Sequence, residues 1–466
     1  MRKFLHVSAL LGFATAALLA SVAAADVTLP SMFADHMVIQ REARVPVWGW
    51  AEPGEKVTVA IGDQTQKCTA AQGGKWRIDI ESLPAGGPHT LTVKGHNTIE
   101  IADVLVGEVW LCSGQSNMAM TVSRAANFSE EQAAATCSAI RMFTVNRETA
   151  VTPQDRCNGS WQVGSPETVG SFSAAAYFFG RTLQQELNVP IGLVNSSWGG
   201  TPIQAWTSEN AQRDQKDLIK TVTDFELRIA RYDPEAAKAR YEKQLETWKA
   251  KAKKAREEGG PAPRKPRAPV NPTTTSSRPG NLFNGMIAPL APYAIRGAIW
   301  YQGEANARED AHLYGLRLKT MIDEWREWWG QGEFPFEWVQ LPNYRAPQVE
   351  AVETSPWVII QEQMFRALEH PNTGMAVTID VGEAGDIHPK NKQDVGKRLA
   401  LWALGATYGQ GNVWCGPLYK CHRVQDGKVI IEFDHAGDGL VAKDGKLKGF
   451  AIAGTDKSFV RADARI

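Results

Sequence analysis

The run VWLCSGQSNMAM, Val109 to Met120, carries a small hydroxyl, Ser116, just past the end of a strongly apolar segment. A hydroxyl there could act as a nucleophile. Ester hydrolysis by a serine needs three further parts: a base to take the hydroxyl proton, an acid to orient that base, and donors for the oxyanion that develops on the carbonyl. His388, in GDIHPKNK, is a candidate base, and Asp386 lies two residues before it as the candidate orienter. Glu383 and Asp380 are competing acids. Gly199 and Gly200 carry no side chain, so either can bring a bare backbone N–H against a ligand. Gln302, after the apolar run AIWY, offers a side-chain amide as a second donor. Each feature also has an ordinary reading: Ser116 as a helix cap, the glycine pair as a turn, the His–Asp pair as a loop contact.

What raises these residues above their separate readings is where they fall. From Val104 onward, continuous apolar runs such as DVLVGEVWLCSG, IGLVNSSWGG, RGAIWYQGE and PFEWVQLP alternate with helical periods such as FSAAAYFFGRTLQQEL and NKQDVGKRLALWALGATYG. Apolar strands alternating with helices predict a parallel sheet covered on both faces. Sites in such sheets lie at the carboxyl ends of strands. Ser116, Trp198-Gly199-Gly200, Gln302-Gly303-Glu304 and Asp386-Ile387-His388 all follow predicted strands. Ser116 would then start a helix, with its N–H and the helix dipole turned to the site.

The rest of the chain reads as flanking modules. Residues 26–103 show short alternating runs with turn signals, which predict a small antiparallel β-sandwich, either a packing domain or a sugar-binding one. Residues 104–415 hold the α/β unit, interrupted at about 224–280 by a charged helix and the basic, proline-rich GGPAPRKPRAPVNPTTTSSRPG. That interruption is read as a solvated excursion, with a lid over the site as the alternative. Residues 416–466 return to β pattern. The leader, residues 1–25, has Arg2 and Lys3, an apolar stretch and Ala23-Ala24-Ala25, which predicts a secretory signal cleaved near Ala25. No later run is long enough to span a bilayer.

Composition narrows the partners. The 466 residues contain 51 Lys plus Arg and 51 Asp plus Glu, so net charge provides no reason to expect nucleic acid or a membrane surface. The 16 tryptophans suit cores and also stacking on sugar rings. Six cysteines lack zinc spacing, and no metal site or cofactor is expected. Export permits disulfides, with Cys415–Cys421 first and Cys137–Cys157 second, while Cys112 reads as a buried, inert thiol.

GQSNM, NSSWGGTPIQAW, IWYQGEAN and DIHPKNKQDVGKRLA, in this order, resemble the sialate O-acetylesterases and related bacterial acetylesterases of the SGNH (GDSL-type) hydrolase superfamily. The resemblance covers nearly all of the chain after the leader. It implies a three-layer α/β/α catalytic domain with a parallel sheet, an N-terminal β-sandwich and C-terminal β-strands. It implies Ser116 as nucleophile, His388 as base and then acid, and Asp386 as orienter. Gly200, rather than Gly199, and Gln302 would form the oxyanion hole with the Ser116 N–H. Gln115, Asn117, Trp198 and Glu304 would contact substrate or brace loops, and Trp300 is a further sugar-site candidate. Two departures stand out: Gly385 occupies the position three before the histidine where the superfamily keeps its acid, and the C-terminal β-region reads as truncated after FVRADARI. The implied reaction is removal of O-acetyl groups from sialic acids, with acetylated xylan or another plant polysaccharide as alternative. Arg296 and Arg345 are candidates for binding a sialate carboxylate. Two other classes remain open: a non-catalytic carbohydrate-binding protein, and a lipid or peptide esterase. Oligomeric state is not readable. If His388 is the base, activity should rise through an ordinary imidazole pKa of about 6 to 7.

Overall fold

The computed structural model describes residues 26–466 apart from 309, 349, 352–354, 412 and 444. The expected leader lies outside the described residues. Seven strands open the chain: β1 Val38–Gln40, β2 Val45–Trp50, β3 Lys56–Ile61, β4 Gln64–Thr69, β5 Lys75–Ile80, β6 Gly86–Lys94 and β7 Thr98–Gly114. β3 pairs antiparallel with β4 and β6, and β6 with the first half of β7, while β2 pairs antiparallel with β5. Alternate residues face one core, with Val57, Val59 and Ile61 of β3 and Trp76, Ile78 and Ile80 of β5 all buried. This period-two burial is what the alternating text required.

β7 is a 17-residue strand, and the expected boundary at 103/104 falls inside it. Its first half belongs to the N-terminal β-layers. Its second half is the central strand of the parallel sheet. The remaining sheet strands are β8 Ile140–Val145, β9 Gly159–Val163, β10 Ile191–Ser197, β11 Gly297–Tyr301, β12 Phe336–Val339 and β13 Thr373–Ala376, in the order β13-β12-β11-β7-β10-β8-β9. All neighbours are parallel except the β8–β9 edge pair.

The helices are α1 Ser116–Ala119, α2 Phe128–Ala133, α3 Ala174–Leu187, α4 Glu209–Arg213, α5 Ile219–Ala230, α6 Pro234–Glu257, α7 Tyr314–Trp329, α8 Pro356–Arg366 and α9 Lys392–Trp402. α3 and α9 pack together on one face of the sheet, α7 and α8 beside each other on the opposite face. Consecutive strand residues divide between these two cores. Val109 and Leu111 join the α7/α8 side, Trp110 and Cys112 the α3/α9 side; in β11, Ala298 and Trp300 oppose Ile299 and Tyr301. Burial on both faces is why these strands read as continuous apolar runs, and each large side chain so buried contributes roughly 1.5–3 kcal/mol.

The opposite, amino-terminal end of the sheet is tied by charge. Glu108, fully buried in β7, accepts from Arg41 Nε at 2.5 Å, Arg296 Nε at 2.7 Å and Gln40 Nε2 at 3.0 Å. Burial pushes its carboxyl up, and Arg296 with Arg41 more than reverses this. Arg296 is therefore a structural cation remote from the strand ends, not a candidate for substrate. Arg345, exposed with φ +70°, lies in the loop after β12 and donates its backbone N–H to Ala384 O.

α6 is capped by Asp233 ahead of Pro234, and it buries only Ala252. Trp248 Nε1 donates to Pro263 O at 2.7 Å, so the proline-rich return lies against its own helix. β14 Leu418–Gln425 and β15 Lys428–Asp434 form a hairpin turned by Asp426-Gly427, both at positive φ, and β16 Ala451–Ile452 pairs with β17 Val460–Arg461. The expected disulfides are not formed: all six cysteines are free. Cys157 packs into the core on the β-sandwich side of the sheet, Cys137 against the α3/α9 side, so the sheet separates them. Cys421 faces Glu432 across the hairpin. Among the described residues no helix is long and apolar enough to cross a membrane.

Candidate active site

Register brings three strand ends level. Gly114 of β7 pairs with Ser197 of β10 on one side and Tyr301 of β11 on the other. The residues that follow each strand therefore emerge together, at the point where strand order runs outward both ways from β7. Gly114 has φ +141°, and a Cβ there would lie 2.2 Å from Tyr301 O, so only glycine fits. The chain then turns through Gln115 into α1, and Ser116 is half-buried at its first position. Its N–H has no intrahelical acceptor. α1 is only four residues long, so the helix dipole expected behind Ser116 is small.

His388 comes from the loop between β13 and α9. Its Nε2 is 2.8 Å from Ser116 Oγ. The loop is pinned at several points: Asn117 Nδ2 donates to Ile387 O at 3.0 Å, Lys390 N–H to Glu383 Oε1 at 2.8 Å, and Ala126 N–H to Lys390 O at 2.8 Å. Asn391 caps α9 by accepting from Asp394 N–H. Asp386 Oδ1 accepts the His388 backbone N–H at 2.9 Å and lies 3.5 Å from His388 Nδ1, with its side chain 46% exposed. That is a turn contact with a long approach to the ring. Asp380 is held by the two terminal guanidinium nitrogens of Arg398. Glu383 is occupied by the loop backbone. Asp386 is left as the acid beside the imidazole.

The glycine pair divides two tasks. A Cβ on Gly199 would sit 3.3 Å from Ser116 Cβ, so Gly199 lets the turn after β10 lie against the serine. Gly200, at φ +77° with open space around it, supplies the left-handed bend, and its N–H belongs to the peptide that joins the two. Gln302 does not present a free amide. It is fully buried, and its Nε2 lies within reach of Asn306 Oδ1 at 2.8 Å, Gln115 Oε1 at 3.1 Å and Thr201 O at 3.2 Å. These acceptors take both of its hydrogens. The amide facing the serine is that of Gln115, whose Nε2 is 3.5 Å from Ser116 Oγ and whose Oε1 is held by Gln302 and by Ala305 N–H.

Beneath Ser116 lies a buried polar cluster. Asn117 donates through Nδ2 to Glu304 Oε1 and accepts at Oδ1 from Lys392 Nζ at 2.6 Å. Burial pushes the Glu304 carboxyl up and the Lys392 ammonium down to about 7. His388 lies below the ordinary imidazole value, first through burial; Asp386 opposes this, and the charges of Lys392 and Arg124 add to it. Trp198 is half-buried at the rim, with the Arg147 guanidinium 5.8 Å from its ring. Trp300 is not at the site: it is fully buried between Trp206 and Trp325.

Lys392 was missed in the sequence, although one signal was present. Residues 392, 395, 396, 399 and 400 form the buried stripe of α9, so a lysine occupies the first position of an apolar face. Asn306, which also orients Ile203 N–H and Gln302, gave no signal. Among the described residues no group of three or more His, Cys, Asp or Glu side chains could hold a metal ion.

A doubly covered sheet whose strand ends gather a serine, a histidine and hydrogen-bond donors defines an α/β/α hydrolase of the esterase class. A family model for "carbohydrate esterase, sialic acid-specific acetylesterase" matches residues 106–249 and 275–404, breaking over the end of α6 and the proline-rich segment. Sialate O-acetylesterase from Rattus norvegicus is 32% identical over 435 residues, covering 83% of this chain and 74% of that protein. Its Homo sapiens counterpart is 30% identical over 425 residues, covering 82% and 72%. A crystal structure of a carbohydrate acetylesterase from Xanthomonas citri superposes with a TM-score of 0.77 at 34% identity, covering 95% of this chain and 89% of that one. The chain belongs to the sialic acid-specific acetylesterase family of carbohydrate esterases.

Proposed function

We propose that this carbohydrate esterase removes O-acetyl groups from sialic acids through an acetyl-enzyme on Ser116. The observation that carries the mechanism is the 2.8 Å contact between Ser116 Oγ and His388 Nε2. In the first half-reaction, Oγ attacks the acetyl carbonyl while His388 takes its proton. The N–H groups of Ser116 and Gly200, with Gln115 Nε2, receive the oxyanion; Gln302 holds the Gln115 amide in place. His388 then protonates the departing sugar oxygen. Water, deprotonated by the same imidazole, attacks the acetyl carbonyl and releases acetate and free Ser116. Asp386 steadies the imidazole.

An anionic sugar is favoured by Arg124. It is exposed on the turn after α1, it pairs with no carboxylate among the described residues, and its charge reaches both His388 and Lys392. A free guanidinium at that place suits a carboxylate. The leader supports export, and a mature protein starting at Asp26 is the expected product in an exporting host.

Acetate release from O-acetylated sialic acid and from acetylated xylan, with Ser116→Ala as control, tests this reading. Release from sialate that needs Ser116 is expected. Release from xylan alone would keep the chemistry and move the substrate to plant polysaccharide. Turnover by a folded Ser116→Ala protein would overturn the mechanism.

A further inference from the structure

We propose that Lys392 is a positioning residue: its buried ammonium, acting through Asn117, ties the turn that carries Ser116 to the loop that carries His388. This rests on the serine-esterase reading above. Lys392 is fully buried in the first turn of α9, with Nζ 2.6 Å from Asn117 Oδ1 and 5.0 Å from the centroid of the Tyr301 ring. Asn117 follows the nucleophile directly. Its Nδ2 donates both to Ile387 O, next to His388, and to Glu304 Oε1, at the end of β11. One amide thus spans the nucleophile turn, the histidine loop and the central sheet.

The charges fix which way that amide points. Its oxygen faces an ammonium and its nitrogen faces a carboxyl group, so turning the amide over would set Asn117 Oδ1 against Glu304 and Nδ2 against Lys392. The Lys392 contact would then lose its hydrogen bond, since an ammonium only donates, and an ionised Glu304 would repel Oδ1. With Lys392 in place, Asn117 has one orientation, and the distance between the Ser116 turn and Ile387 is set by it. Without Lys392, the oxygen loses its donor and the His388 loop is tethered by a rotatable side chain.

The Lys392 charge also acts on the imidazole, as a like charge that lowers its pKa. The other charged groups around it are Glu304 after β11, Glu383 and Asp386 in the histidine loop, and Arg124 on the turn after α1. Removing the ammonium removes repulsion from protonated His388, so the imidazole would hold its proton to higher pH. A side chain that only filled space would not have this effect.

The test is Lys392→Met, which keeps length and apolar stem and removes donor and charge, with Asn117→Ala as second variant. Each is expected to lower kcat on the order of 10²-fold on a small acetyl ester, the scale of an ångström-sized misplacement of catalytic groups, with little change in KM. The acid limb of kcat/KM should move to higher pH in Lys392→Met. Because the two residues act as one unit, the double variant should lose little more than the worse single one. Wild-type kcat and an unmoved acid limb in a folded Lys392→Met protein, or additive losses in the double variant, would overturn the proposal. If Lys392→Met does not fold, Asn117→Ala carries the test alone: a folded variant with wild-type kcat overturns it. A Ser116→Ala protein that keeps activity points instead to failure of the esterase mechanism itself.

Discussion

The imidazole of His388 makes two quantitative demands. Its burial holds its pKa below 6.5, with Lys392 and Arg124 pushing the same way against Asp386. The base must be unprotonated, so kcat/KM should rise as pH passes upward through that lowered value. We expect the midpoint of the acid limb below 6.5, measured on a nitrophenyl acetate between pH 4 and 8; a midpoint above 7 would contradict the environment described. The long approach of Asp386 to Nδ1, at 3.5 Å, makes the second demand. Where an acid is buried and well bonded to the ring, its amide variant loses about 10⁴ in kcat. Here Asp386→Asn should cost only about 10-fold, because an exposed carboxylate orients weakly. A 10⁴-fold loss would mean that the loop closes onto the ring when substrate binds. Arg124→Ala should raise KM for O-acetyl sialate about 10-fold, the value of one charge-assisted contact, and leave a neutral nitrophenyl ester unchanged.

At the scale of elements, the site depends on β7 being level with β10 and β11 at its carboxyl end and tied to β11 at its amino end. Glu108 and Arg296 make that tie, with Arg41 bringing in the segment after β1. Arg296→Met should destabilise the protein by about 2–3 kcal/mol, less than for a fully buried pair because Arg296 is partly exposed and Arg41 remains. Chemical denaturation at pH 7 would measure it. kcat of the folded fraction should not change, since the tie lies at the opposite end of the sheet from Ser116.

The whole molecule is built around one strand that serves two layers. Since β7 pairs with β1 and β6 before it enters the parallel sheet, the N-terminal β-layers are not separable from the catalytic unit. Removing residues 26–97 would strip those pairs and uncover Val104 and Val106, which are fully buried. We expect such a protein to show no cooperative melting transition. A stable, active truncated form would show that the parallel sheet holds its own central strand. Denatured, unreduced protein should titrate six thiols, in keeping with six free cysteines.

The sheet class, its strand ends and the serine–histidine pair were legible in the sequence because they depend on local pattern. Apolar strands buried on both faces leave continuous runs, and glycines with positive φ mark where backbones turn. The roles of Gln302, Trp300 and Arg296 were not legible, because each depends on partners more than ten residues away: Gln115 and Thr201 for Gln302, Trp206 and Trp325 for Trp300, Glu108 for Arg296. Of the two expected cysteine pairings, Cys415–Cys421 is not formed, with Cys421 set against Glu432 across its hairpin, and Cys137–Cys157 is not formed because the sheet stands between them. By itself the sequence determined which residues could do chemistry and that they would follow strands. Only the tertiary structure decided which amide faces the serine and which lysine lies beneath it, since hydrogen bonds and desolvation act over a few ångströms of space and are blind to distance along the chain.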